Sequence, residues 1–210
     1  VSFVAVLSAP ATQNAWAKLK TYMAGTKYMI LCKDLPKKFS GTNQIRISDA
    51  PSASPQAPTQ RVIRVVFVRH GNSVWNALFN NFGLMWPWRL VKYCFGEVIL
   101  YFTNPLDSYI IDSPLSPKGI REAEELQEYV RSPVGASRIS LDTSRSLIVC
   151  SNLRRAMATA LIGLQPRLSV SRERIVMDST LQEGSRNIDA QSFSTIKGRV
   201  AGGPVFDLYT

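Results

Sequence analysis

Apolar residues along this chain fall first at strand spacing and then at helix spacing, and the alternation repeats. Val1–Leu7 reads as a strand. Trp16, Leu19, Tyr22 and Met23 then recur at helical intervals and stop before Gly25, which has the character of a C-cap. Tyr28–Cys32 is a short apolar run that reads as a second strand. Val62–Val68 is β-branched and aromatic, broken only by Arg64, the pattern of a buried strand in a parallel sheet. Gly71 turns the chain, and Ser73 is the expected N-cap of a helix beginning Val74-Trp75-Asn76-Ala77.

Further along, Trp88, Val91, Phe95, Val98 and Phe102 share one helical face, with Arg89, Lys92, Gly96 and Glu97 lying off it. Ser116-Pro117 supplies an N-cap followed by proline at the first helical position, and Ile120, Ala123, Leu126 and Val130 form the apolar stripe of that helix. Leu147-Ile148-Val149-Cys150 is a short buried strand, followed by a helix over Asn152–Leu164 that ends at Gln165-Pro166. Strands alternating with helices predict an α/β fold, three-layer α/β/α with a mainly parallel sheet.

Residues 49–60 hold no aromatic and no β-branched residue except Thr59, so they bury little and read as a linker. They separate an N-terminal extension, or the tail of an upstream unit, at 1–48 from a main domain at 61–210. That domain carries an aromatic-rich insertion at about 77–112. The chain starts at Val1 rather than Met, and Gly202-Gly203-Pro204 is a turn signal close to Thr210, so it reads as a fragment truncated at its C-terminus.

The net charge of +10 points to an anionic partner, whether a phosphorylated substrate, nucleic acid or an acidic membrane surface. Cys32, Cys94 and Cys150 are odd in number and far apart, which suggests neither a disulfide framework nor a cysteine zinc site and fits a reducing, cytoplasmic compartment. With one histidine in the chain, His-rich metal sites are ruled out, and chemistry without metal or cofactor is expected.

Two strand-to-helix junctions hold the side chains of interest: Arg69, His70 and Asn76 at one, Ser151, Arg154 and Arg155 at the other. In open α/β sheets such junctions meet in one ligand crevice. Arg69-His70-Gly71-Asn72-Ser73-Val74-Trp75-Asn76 resembles the R-H-G-x-x-x-W-N signature of the phosphoglycerate mutase-like histidine phosphatase superfamily. Ser151-Asn152-Leu153-Arg154-Arg155-Ala156-Met157-Ala158-Thr159-Ala160 resembles that family's S-x-L-x-R-A-x-x-T-A segment, and Pro114–Gly119 its L-T/S-x-x-G helix start. Leu181-Gln182-Glu183 is similar to the loop in which many members carry an acid, so the resemblance covers about Val62 to Asp189.

The resemblance implies that His70 attacks phosphorus and becomes a phosphohistidine while Arg69 and Arg155 grip the phosphoryl oxygens. Gly71 and Asn76 line the site, Glu183 is the general acid, and Arg186 and Asn187 add substrate contacts. The chemistry is reasonable on its own terms: neutral imidazole is a capable nucleophile near neutral pH, and guanidinium forks match phosphate oxygens. Two departures stand out. No histidine follows His70, where the family has a second one late in the chain; the fragment reading places it beyond Thr210 and leaves this segment with half a pocket. Asn72 stands where many members have Glu, which removes a negative charge beside the site.

The expected activity is metal-independent hydrolysis of a phosphorylated small molecule or phosphoprotein. The alternatives are a phosphomutase using the same intermediate and a non-catalytic phosphate-binding scaffold. Nucleic acid is not an expected partner: Arg145, Arg167, Arg172 and Arg174 look exposed, but no aromatics interleave with them. The stripe through Trp88 and Phe102 is too interrupted by charge to span a membrane. Packing on its own domain is the commonest fate of such a stripe; a lid over the site, or a peripheral membrane anchor through 84–102, are the others.

Overall fold

The computed structural model describes residues 10–31, 64–80, 82–139, 146–182 and 187–192. The expected strand Val1–Leu7, the linker at 49–60, Arg145, Glu183 and Arg186 lie outside them.

Helix α1 spans Pro10–Leu31 and runs straight through Gly25, so Gly25 is no C-cap and Tyr28–Leu31 is helical rather than a strand. An apolar run of five residues does not by itself distinguish the two conformations. Packing decides here: Gly25 is buried, and a Cβ on it would sit 2.9 Å from Cγ1 of Ile188. Residues 64–68 correct a second expectation, because they form no strand and Val65 and Phe67 are 80% and 87% exposed. A β-branched run becomes a buried strand only when neighbouring strands and covering helices flank it. No described segment pairs with this one.

Helix α2 (Val74–Phe79) starts where the sequence places it, with Ser73 Oγ accepting the Asn76 N–H at 3.1 Å. Helix α3 (Trp86–Thr103) follows. Its apolar stripe does not pack on the domain: Trp88, Val91, Phe95, Val98 and Phe102 are all exposed. The face that does pack is built around Glu97, which is buried and binds Lys18 Nζ at 3.0 Å and the Tyr22 hydroxyl at 2.7 Å. These two bonds fasten α1 to α3.

Helix α4 (Pro117–Arg131) is capped by Ser116, whose Oγ accepts the Gly119 N–H at 3.1 Å, and α5 (Pro133–Arg138) continues from it. Strand β1 (Val149–Cys150) pairs in parallel with β2 (Val176–Met177), and helices α6 (Arg154–Gly163) and α7 (Gln165–Ser171) connect them. Helix α6 stops before Gln165-Pro166, as the sequence indicates, and Pro166 occupies the first turn of α7, where its missing N–H is no loss. Among the described residues the molecule is mostly helical around one small parallel sheet, α/β in character.

The core lies where α4 meets α6 and β1. Leu115, Ala123 and Ala158 form one cluster with Ile120 and Ile162; Val130, Ile148 and Leu164 form another with Leu126, Leu168 and Ile175. Arg167 corrects the exposed-arginine expectation, being buried and paired with Glu173; Arg172 and Arg174 are exposed. The Arg167 bond, acting against the burial of Glu173, holds that carboxyl below its ordinary value. No described helix is long and apolar enough to cross a membrane.

Candidate active site

The site is assembled where the loop before α2, the start of α4 and the start of α6 meet. Asn72 is the hub of the first contact. Its carbonyl accepts the Ser116 N–H at 2.8 Å, its side-chain oxygen accepts the Ser116 hydroxyl at 2.8 Å, and its N–H donates to Glu122 Oε2 at 2.7 Å. Ser73 and Leu115 form an antiparallel bridge alongside. Gly71 and Gly119 permit this approach: a Cβ on Gly71 would lie 2.5 Å from the Gly119 carbonyl oxygen, and one on Gly119 would overlap the Asn72 carbonyl. Backbone cannot yield there as a flexible side chain can.

Thr159 makes the second contact. The Gly71 N–H donates to Thr159 Oγ1 at 3.0 Å, and the Thr159 hydroxyl donates to the Arg155 carbonyl at 2.8 Å. The glycine after His70 is thereby tied to the helical turn that carries Arg155.

His70 is half-buried between these contacts. Its Nε2 lies 3.2 Å from Arg155 Nε, and its Nδ1 lies 2.7 Å from the Gly71 carbonyl oxygen. An arginine N–H only donates, so Nε2 is the acceptor and the proton sits on Nδ1, donated to Gly71. This hydrogen-bond pattern assigns a neutral imidazole with its lone pair directed at the arginine. Arg155 is 1% exposed; its Nη1 donates to the Asp189 carbonyl at 2.9 Å and lies 3.3 Å from Asp189 Oδ2.

Arg154 and Arg155 are consecutive on α6 and turn in different directions. Arg154 is buried in the loop before α4, where its N–H donates to Asp112 Oδ1 and its Nε to the Asp112 carbonyl, both at 2.8 Å, and its guanidinium pairs with Asp107. Asp112 has a φ of 46°, in the left-handed region that side chains seldom adopt, and these bonds hold it there. Arg154 is therefore a structural member of the second junction.

The other expected residues are placed as follows. Arg69 is exposed, so the structure brings one arginine of the expected pair, Arg155, to His70. Asn76 is half-buried in the first turn of α2. Ser151 is half-buried after β1, its Oγ accepting the Leu153 N–H at 3.4 Å. Asn187 is exposed at the start of the turn Ile188–Ala190, which delivers Asp189 to Arg155. Asp189, Thr159 and Glu122 were not singled out by sequence reasoning. The Thr and Asp lie within recognised segments, but nothing local marks them as partners of Gly71 and Arg155. No group of three or more His, Cys, Asp or Glu side chains among the described residues is placed to hold a metal ion.

No family model, curated protein or solved structure matches this chain.

Proposed function

We propose that this protein is a histidine-type phosphatase that hydrolyses phosphomonoesters through a phosphohistidine on His70, on a three-layer α/β/α fold of the phosphoglycerate mutase type. The observation that carries the reading is the state of the imidazole, with Nδ1–H held by the Gly71 carbonyl and the Nε2 lone pair 3.2 Å from a guanidinium donor. A phosphoryl group entering between Nε2 and Arg155 meets a nucleophile and a cation together.

Attack by Nε2 forms an N–P bond as the ester P–O bond breaks. The imidazole becomes cationic, and the Gly71 carbonyl stabilises that charge through Nδ1–H. The leaving alkoxide takes its proton from Glu183, the acid that the family resemblance assigns. Water then attacks phosphorus and returns a proton to the Glu183 carboxylate; inorganic phosphate leaves and neutral His70 is restored. A mutase differs only in the acceptor, a second hydroxyl in place of water, and hydrolysis is preferred because it asks less of the site. The substrate class is a phosphorylated small molecule or phosphoprotein.

Full-length protein incubated with an aryl phosphate in the presence of a chelator is the test. The expected result is phenol release and an acid-labile, alkali-stable phosphoenzyme, both lost in His70→Ala. Undiminished turnover in that variant would overturn the mechanism. Phosphate binding without phosphoenzyme would replace catalysis by the scaffold reading.

A further inference from the structure

We infer that the exposed face of α3, with the loop before it, docks on an anionic lipid surface, the helix lying parallel to the membrane plane. Trp88, Phe95 and Phe102 are 69%, 67% and 77% exposed, with Val91 and Val98 exposed between them. At about 1.5 Å per residue the stripe runs roughly 21 Å. The loop at its N-terminal end extends the patch, since Phe82 and Met85 are exposed and Leu84 is 98% exposed. An apolar strip of this kind is unfavourable in water and marks an interaction surface.

Charge selects the occupant. Residues 82–103 contain one acidic side chain, Glu97, and it faces inward onto Lys18, Tyr22 and Ser108. Lys92 is exposed on the same helix, and Arg89 is half-buried with Nη1 on the Ala77 carbonyl at 3.3 Å. The outward side therefore carries apolar groups and positive charge without an exposed carboxylate. That composition, with tryptophan at one end, suits the interface of an anionic bilayer. A second copy is disfavoured because it would set a net charge of +10 against itself. No described helix is long and apolar enough to span, so the contact is peripheral.

Sedimentation of the full chain with vesicles tests this, using phosphatidylcholine alone and phosphatidylcholine containing phosphatidylserine. The chain is expected to pellet with the phosphatidylserine vesicles, much less with the neutral ones, and to be released by raised salt. The double variant Phe95→Ser/Phe102→Ser is expected to lose at least about tenfold of the partitioning. Its circular dichroism should be unchanged, because both side chains are exposed. Protein that stays in solution with both vesicle types overturns the proposal, as does a double variant that binds undiminished. Self-association of the free chain that the double variant abolishes, without vesicle binding, would assign the face to a second copy instead.

Discussion

Arg155 is shared between His70 and Asp189, with its Nε 3.2 Å from the imidazole Nε2 and its Nη1 3.3 Å from the Asp189 carboxylate. Asp189 is itself buried, so on the proposed mechanism its carboxylate would compete with an incoming phosphate for one guanidinium. Asp189→Asn keeps the backbone carbonyl that holds Nη1 while removing the competing charge. Inorganic phosphate is expected to inhibit this variant more tightly, by about tenfold, the equivalent of about 1.4 kcal/mol. Inhibition constants measured at neutral pH check it, and weaker inhibition would mean that the carboxylate orients the arginine for phosphate rather than competing.

Thr159 links the glycine after His70 to the helix that carries Arg155. Thr159→Val preserves shape but leaves the Gly71 N–H without its acceptor, a loss of about 1–3 kcal/mol for a buried donor. Urea denaturation is expected to show that decrease. Turnover of an aryl phosphate should fall with it if the bond holds His70 in place.

Gly119 and Gly83 form a contrasting pair. A Cβ at Gly119 would overlap the Asn72 carbonyl, which is backbone and held by Ser116, whereas nothing lies within 4 Å of one at Gly83. Gly119→Ala is expected to destabilise by about 1–3 kcal/mol or more, and Gly83→Ala to stay within about 0.5 kcal/mol of the wild type. Thermal melts of both variants measure the difference.

Burial pushes the Glu97 carboxyl upward, but the hydrogen bonds from Ser108 and Tyr22 and the charge of Lys18 prevail and hold it below the ordinary value of 4.5. A carboxylate lowered on folding adds stability above its unfolded value, and that stability fades as pH falls through the folded value. The chain is therefore expected to lose stability as pH drops below about 4.5. Glu97→Gln should be less stable at neutral pH and show a shallower acid limb, measurable by denaturant titrations from pH 7 to 3.

Features written in a few adjacent residues were legible. Ser73 and Ser116 announce helix starts through their own hydroxyls, and Pro117 sits where a proline costs no hydrogen bond. His70, Gly71 and Arg155 were picked out by two segments far apart in sequence, and the structure brings those segments together. The misreadings have one origin. Gly25 resembles a helix end until Ile188 is seen against it, and residues 64–68 have strand composition without a described strand beside them. The stripe on α3 was periodic enough to predict the helix but not which face would be covered.

The sequence by itself determined where helices begin, which segments carry apolar faces, and that a lone histidine stands beside an arginine and a glycine. Tertiary structure alone decided that Arg154 turns to Asp107 and Asp112 while Arg155 turns to His70 and Asp189. It also decided that α3 buries Glu97 and exposes its aromatic residues. Caps and periodicities arise from bonds within a turn or two of chain, whereas these pairings join groups 34 to 85 residues apart. Their partners are fixed only when the whole chain has packed.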